Sequence, residues 1–124
     1  MSLKQLKRIF DAMKRMTHGD PESVSTILID SSEAQSMRIV GKIIEGKVGA
    51  AGTVTINIYG KVTGAIMTVA IDNFTLTVNG ATPVYKSKLV DVRGFEEITV
   101  GIIHAGAAAD WADIEVWGAV PFER

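Results

Sequence analysis

Few side chains in this 124-residue chain could do chemistry, and they lie far apart in the sequence. The chain contains two histidines, His18 and His104, and no cysteine, so it has neither a thiolate nucleophile nor a cysteine-based zinc site. Neither histidine lies in a metal-binding spacing such as His-Glu-x-x-His. We therefore predict no catalytic residue, no metal site and no cofactor, and we expect that the protein is not an enzyme.

The nearest approaches to an acidic cluster are Glu96-Glu97 and the pair Asp110 and Asp113. Hard cations such as Ca²⁺ bind loop carboxylates, but the EF-hand pattern is absent, so we interpret both as solvated loop residues. A small hydrolase or enzyme subunit stays open as an alternative. It would need a pocket that brings His104 beside Asp110 or Asp113, where the pair could exchange protons with a substrate.

Trp111 is the candidate ligand contact. It follows the small-residue stretch 105–110, and an exposed indole in that position could stack on a sugar. The alternative interpretation is that Trp111 closes the end of the domain while Trp117 packs against a core or an interface. A carbohydrate-binding module is accordingly an alternative function.

Charge is divided unevenly along the chain, whose net charge is −1. Residues 1–16 carry a net charge of +4, because a single aspartate stands against five basic residues: Lys4, Lys7, Arg8, Lys14 and Arg15. The remainder is acidic, which disfavours binding of nucleic acid there.

The basic segment also has the periodicity of an amphipathic helix. On a 3.6-residue period its apolar side chains fall within an arc of about 140°; they are Leu3, Leu6, Ile9, Phe10, Met13 and Met16. We predict a helix over residues 1–18 that ends near His18-Gly19, followed by a hinge over residues 19–23. Because a helix this short is marginal alone, we expect its six apolar residues to form a partner or oligomer interface.

Three alternatives exist for that segment. The helix could cover its own sheet, lie on a membrane surface, or contact nucleic-acid phosphates. We favour docking to a protein, and we expect neither a membrane nor a nucleic acid as a partner.

Beyond the hinge the hydrophobic period changes from 3.6 to 2. Apolar and polar residues alternate over residues 54–59, 67–71 and 74–78, and turn signals such as Asp72-Asn73 and Asn79-Gly80 separate the runs. The pattern predicts an all-β fold: one antiparallel β-sandwich of about eight strands over residues 24–124, jelly-roll-like.

The closing strands carry a family resemblance. Residues 89–100, followed after a small-residue loop by residues 113–118, resemble the closing strands of β-sandwich modules in virion proteins of tailed bacteriophages, including head-decoration, head-fibre and tail proteins. The resemblance implies a jelly-roll-like domain, frequently a homotrimer, that an N-terminal segment attaches to a capsid or tail. It transfers no functional residue.

The leading hypothesis is therefore a non-enzymatic virion structural protein: a capsid-decoration, head-fibre or tail subunit. We expect it to be made in the host cytoplasm and located in the virion. Its mechanism would be self-assembly as a homo-oligomer, with a trimer favoured, and docking to a capsid or tail protein through residues 1–18.

Overall fold

The computed structural model describes residues 3–10, 12–28, 36–47, 52–62, 68–80, 82–107 and 110–122, without the side chains of residues 3–7, 28 and 120–122. Every regular element in these residues is a β-strand. The strands are β1 (Leu3–Arg8), β2 (Lys14–Thr17), β3 (Ser23–Leu28), β4 (Ser36–Gly46), β5 (Thr53–Val62), β6 (Thr68–Thr77), β7 (Val84–Asp91), β8 (Phe95–Ala105) and β9 (Trp111–Phe122). Within the described segments there is no helix with the length and apolar character needed to span a membrane.

Buried and exposed side chains alternate along the strands as the apolar and polar residues of the sequence predict. Val54, Ile56 and Ile58 of β5 are fully buried, whereas the residues between them are partly exposed. β-Branched side chains at such positions pack well on a pleated surface. The all-β prediction is confirmed.

Two antiparallel sheets form a jelly roll. Sheet A has the strand order β1/β2–β9–β4–β7, in which β1 and β2 both pair with β9, and sheet B has the order β3–β8–β5–β6. Strands that follow one another in the chain alternate largely between the two sheets, which is the double Greek-key connectivity of this fold. The core between the sheets is almost entirely aliphatic, with contributions from β4, β5, β8 and β9.

The described residues of the two predicted strands at 67–71 and 74–78 fall largely in a single strand, β6 (Thr68–Thr77). β6 continues through Asp72-Asn73, which the sequence had suggested as a turn. Its register with β5 shifts where Ile58 pairs with Asp72 and Tyr59 pairs with Ala70, so Ile71 is an extra residue in a β-bulge. With β1 and β2 counted as the two halves of one edge strand, the described residues form eight strands in two antiparallel sheets. The total agrees with the predicted number of about eight, although β1/β2 lies before residue 24, where the predicted sandwich begins.

The predicted N-terminal helix is wrong. Leu3–Arg8 pairs with β9 from Phe122 to Trp117, and Lys14–Thr17 pairs with the same strand from Ile114 to Trp111. The pairing is interrupted between Arg8 and Lys14, which pair with Trp117 and Ile114, and Ile9 N donates to Val116 O at 3.0 Å. Around this interruption Ile9, Phe10 and Met16 are buried, a spacing that strict alternation in one continuous strand does not give.

The segment forms strands because β9 provides it with backbone hydrogen bonds to a partner and with burial in the core, which a short isolated helix lacks. Pairing satisfies the backbone groups of both strands, and the interruption lets Ile9 and Phe10 enter the core beside Met16 of β2. An isolated helix of this length would gain no such burial. Residues 1–18 are therefore not a separate docking segment, because their described strands belong to sheet A.

The predicted hinge is a tight turn that carries the chain from sheet A to sheet B. Gly19 has φ +92°, a conformation that glycine adopts without steric cost. Thr17 N donates to Asp20 Oδ2 at 2.8 Å, and Asp20 N donates to Thr17 O at 3.0 Å. These hydrogen bonds fix the turn, so it does not act as a flexible linker.

Candidate interaction surfaces

The outer surface of sheet A, called face A below, collects the aromatic and charged side chains that point away from the core. Their neighbours in the same strands, such as Ile39, Ile114 and Val116, are buried, and side chains alternate between the two faces of a strand. Face A consists of Arg8, Arg15, Arg38, Val40, Lys42, Glu45, Tyr85, Ser87, Leu89, Asp91, Trp111, Asp113, Glu115 and Trp117.

One repeated arrangement on face A joins an arginine, a carboxylate and a tryptophan. Arg15 Nε and Nη2 donate to the two carboxylate oxygens of Asp113 at 2.8 and 3.0 Å, and its guanidinium lies 3.8 Å from the Trp111 ring centroid. A bidentate pair of this kind restricts both side chains. Asp113 is buried beneath Arg15, so its charge is neutralised where water cannot reach it.

Arg8 repeats the arrangement on the neighbouring half of the edge strand. It donates to Glu115, and its guanidinium carbon lies 4.7 Å from the centroid of the Trp117 ring. The Arg15–Trp111 and Arg8–Trp117 distances are both within the range in which a cation and an aromatic face attract each other. Two half-buried indoles on β9 are thus held in place by the edge strands β1 and β2.

The far side of face A is more exposed and more apolar. Tyr85 and Leu89 of β7 are 66% and 52% exposed, and the Lys42 ammonium lies 5.3 Å from the Tyr85 ring centroid. Between them Ser87 accepts a hydrogen bond from Arg38 Nη1 at 3.0 Å. A groove of about 310 Å³ borders Leu89 at this edge, beside Ser36, Asp91 and Arg93. The guanidinium and backbone N–H of Arg93 lower the pKa of Asp91 to about 2.

The outer surface of sheet B has a different composition. Threonines form pairs across its strands, with Oγ1–Oγ1 distances of 2.8 Å for Thr26–Thr99 and 3.3 Å for Thr55–Thr75. Val24 of β3 is 57% exposed on the same side. A second groove, of about 320 Å³, lies between Val24 and the interruption at residues 9–13.

A polar cluster lies near the middle of the sheet B surface. Asn57 Nδ2 donates to Glu22 Oε2 at 2.8 Å, and the Tyr59 hydroxyl donates to the same oxygen at 2.9 Å. Gly101 lies directly beneath, and a Cβ there would overlap the Glu22 carboxyl group. Burial and the Glu22 carboxylate raise the pKa of Tyr59. The cluster fastens the β2–β3 connection to the sheet and places amide and carboxylate groups on its outer surface.

Two lysines of β7 connect the two sheets through hydrogen bonds to β6. Lys86 Nζ donates to Thr75 O at 3.1 Å, and Lys88 Nζ donates to Asp72 Oδ1 at 2.7 Å. The Lys88 ammonium lowers the pKa of Asp72. In β7 these lysines alternate with the outward Tyr85, Ser87 and Leu89, so they turn toward the inside of the sandwich edge.

His104 lies at one end of the sandwich, within reach of His18 and Asp110. The rings of His18 and His104 have centroids 6.4 Å apart. His18 Nδ1 accepts from Gly106 N at 3.2 Å, Ala107 N donates to Asp110 Oδ2 at 3.0 Å, and Lys47 Nζ is 4.0 Å from Asp110 Oδ1. His104 itself is 3% exposed, and neither of its ring nitrogens has a hydrogen-bond partner among the described residues.

The structure thus brings His104 near Asp110, which the hydrolase alternative requires, but without the hydrogen bond that orients a catalytic imidazole. Asp113 is engaged with Arg15 on face A instead. Within the described segments, no three histidine or acidic side chains are arranged so that they could hold a metal ion.

The residues predicted as a partner interface have different locations. Ile9, Phe10 and Met16 are buried in the core of the sandwich, so they are not available to a partner, and that part of the prediction is wrong. Met13 is exposed beside the groove at Val24. The side chains of Leu3 and Leu6 are outside the described ones. The candidate ligand contact Trp111 is half-buried under Arg15.

Sequence reasoning missed most of the residues that build face A. The signal was a period of two: Tyr85, Ser87 and Leu89 alternate in β7, and Trp111, Asp113, Glu115 and Trp117 alternate in β9. Recognising that these two series share a face requires the strand order, because β4 separates β7 from β9. Arg8 and Arg15 were not predictable as part of the face, because the predicted helix over residues 1–18 lies outside the sheet.

No protein-family model and no curated protein matches this sequence. Solved structures do share its fold. A structure described as "CBM4 structure and function" has a TM-score of 0.59 at 12% identity, covering 96% of this chain and 78% of that one. "TmCBM61 in complex with beta-1,4-galactotriose" has a TM-score of 0.54 at 10% identity, covering 98% and 88%.

A viral protein is similar to the same degree. A chain from the T13 IBDV viral particle has a TM-score of 0.57 at 11% identity, covering 96% of this chain. The chain spans 31% of the length of that protein. At these identities the likeness shows the fold alone. The resemblance to virion proteins therefore extends to a capsid protein with the same fold, and nothing in the comparisons singles out tailed phages.

Proposed function

We propose that this chain is a non-enzymatic structural subunit of a virion that acts by self-assembly. The observation that carries the proposal is face A, an ordered surface that contains both tryptophans of the chain and two exposed large side chains, Tyr85 and Leu89. Tryptophan, tyrosine and arginine are the residues that contribute most binding energy in protein interfaces. A capsid protein of similar fold is consistent with the proposal.

The absence of catalysis is part of the proposal. The described residue best suited to acid–base chemistry, His104, is enclosed and has no partner to orient its ring. The partners that we propose are further copies of this chain and a capsid or tail protein, with neither nucleic acid nor membrane involved. The location that follows is the virion, in a decoration, fibre or tail position.

Particle composition tests this function. Virions from the producing cells are banded on a density gradient, and each fraction is examined for peptides of this chain by mass spectrometry. We expect the peptides to follow the major capsid protein in a fixed ratio and to stay with the particles after a high-salt wash. Peptides that remain at the top of the gradient would contradict the proposal.

A carbohydrate-binding module is the second candidate function. The polar cluster of Glu22, Asn57 and Tyr59 supports it, since a fixed carboxylate, an amide and a phenol can bind several hydroxyl groups at once. One of the similar structures is described with bound beta-1,4-galactotriose. Trp111 supports it less than the sequence suggested, because the Arg15 guanidinium occupies one side of its ring.

Glycan-array binding distinguishes the candidates. A carbohydrate-binding module binds a defined oligosaccharide, and the substitutions Glu22→Gln and Tyr59→Phe weaken that binding while the fold is retained. If Trp111→Ala alone abolishes binding, the ligand lies on face A instead. No binding to any glycan would remove this candidate and leave the structural one.

A further inference from the structure

We infer that two copies of this chain pack together through face A, sheet against sheet, around a twofold axis. The inference rests on the self-assembly in the proposed function, and it adds the surface, the partner and the symmetry. It differs from the threefold assembly that the phage resemblance implies.

Three of the four sheet edges, those at β7, β1/β2 and β6, are unsuited to pairing between copies. At β7 the lysines Lys86 and Lys88 turn inward and bind β6, and inward-pointing charges are a recognised protection against edge-to-edge association. The β1/β2 edge is interrupted at residues 9–13, and β6 carries the bulge at Ile71. Association through a face of the sandwich is therefore favoured over extension of a sheet.

Face A offers the anchors that the outer surface of sheet B lacks. Trp111 and Trp117 are held by Arg15 and Arg8, so little conformational entropy is lost when a partner covers them. On sheet B the members of two threonine pairs, Thr26–Thr99 and Thr55–Thr75, bond with each other, and Tyr59 is engaged with Glu22. The exposed apolar residues of that surface, Val24 and Ile103, are aliphatic. An interface on face A therefore has large, ordered side chains at its centre and the exposed Tyr85 and Leu89 at one side.

The charges of face A suit a second copy of the same face. Among the described side chains of face A, four cationic and four anionic ones are interspersed, and Arg8 and Arg15 are already paired with Glu115 and Asp113. Two identical surfaces with balanced charge do not repel each other. A twofold axis sets each residue that lies away from the axis against a different residue of the second copy. A nucleic acid or an acidic membrane would instead select a face with an excess of unpaired cations.

The size of face A is adequate for a stable pair. Four strands about 4.8 Å apart and about eight residues of ~3.3 Å in length give a projected area of roughly 500 Å². That is the same order as the ~800 Å² of accessible surface that each partner buries in an interface of standard size. The inner side chains of such a contact would meet as those of two stacked sheets do.

Substitutions on the two faces test the inference. Tyr85→Lys and Leu89→Lys put a charge on face A, and Val24→Lys is the matched control on sheet B, because Val24 is similarly exposed at 57%. Molar mass is measured by sedimentation over a range of concentrations, with circular dichroism to verify folding. We expect the parent chain and Val24→Lys to be pairs, and each face A variant to dissociate at least ~30-fold more readily, as for loss of one side chain that contributes strongly to an interface.

Each other outcome overturns a defined part of the account. A monomeric parent chain contradicts self-assembly and hence the proposed function as well. A parent trimer, or a pair that folded Tyr85→Lys and Leu89→Lys leave intact, overturns the face A inference and leaves self-assembly standing. Dissociation of Val24→Lys to the same extent would overturn it too.

Single-cysteine variants keep the inference testable if the lysine variants do not fold. The chain has no cysteine, so S87C on face A and T75C on sheet B each carry one exposed thiol. Maleimide labelling of S87C should be at least tenfold slower at concentrations where the pair forms than after dilution, whereas T75C should label at one rate throughout. Equal behaviour of the two thiols would overturn the inference.

Discussion

His104 is the described side chain whose environment is least favourable to it. An imidazole always carries at least one N–H, and a buried donor without a partner costs roughly 1–3 kcal/mol. Burial lowers the pKa of His104, the nearby His18 lowers it further, and Asp110 and Asp20 oppose the shift. Lys47 lies next to Asp110 and offsets part of its charge. The neutral form is therefore the one that the fold accepts.

Stability should consequently fall on mild acidification. Because the pKa of His104 is lower in the folded chain than its ordinary value of about 6.5, the unfolded chain binds more protons below that pH. The contribution of neutral His104 to the free energy of unfolding is fully present above pH ~6.5. It is lost as the pH falls toward the pKa that His104 has in the folded chain. We expect a lower melting temperature at pH 5.5 than at pH 7.5, and His104→Leu should reduce the difference by about half or more. An unchanged difference in His104→Leu would contradict this assignment.

At the scale of elements, the N-terminal segment is where sequence and structure diverge most. The spacing of its apolar residues favours a helix, yet a long partner strand, β9, is available to satisfy its backbone groups. Local periodicity does not include that partner, and tertiary pairing overrides weak helix propensity. The strands after residue 24 were predictable because strict alternation admits one interpretation. The interruption between Arg8 and Lys14 was not, because it is defined by how both halves pair with β9.

Phe10 and Met13 separate the two accounts of this segment. On a docking helix they would share one apolar face and respond alike to truncation. In the structure Phe10 is buried in the core and Met13 is 45% exposed. We expect Phe10→Ala to lower the free energy of unfolding by about 3 kcal/mol and Met13→Ala to change it by less than about 0.5 kcal/mol. Urea denaturation measures both, and two equally small effects would contradict the strand assignment.

The inward lysines of β7 should protect against aggregation more than they stabilise the fold. Exposed ion pairs such as Lys88–Asp72 contribute less than about 1 kcal/mol. The double substitution Lys86→Thr, Lys88→Thr should thus leave the urea midpoint nearly unchanged, while light scattering at elevated temperature rises faster. The control is Lys47→Thr with Lys61→Thr, which removes the same charge away from that edge. Equal aggregation of the two double variants would contradict a protective role for the edge lysines.

At the scale of the whole molecule, the fold was more predictable than the surfaces. Alternation and turn residues were sufficient to predict a sandwich of about eight strands, since burial on one face is recorded directly in the sequence. Face A was not predictable, because Ser87 and Trp117 come to lie on either side of Val40 of β4 only once the strand order is known. The same limit applies to the cluster of Glu22 with Asn57 and Tyr59, which joins a turn to a distant strand.

The molar mass of the unmodified chain in solution tests the central claim most directly. The claim is that this jelly roll functions by association with its own copies, so the species measured by sedimentation or native mass spectrometry should be a multiple of the 13.3-kDa chain. Packing through face A predicts twice that mass over micromolar concentrations. A single 13.3-kDa species at every concentration would contradict the account.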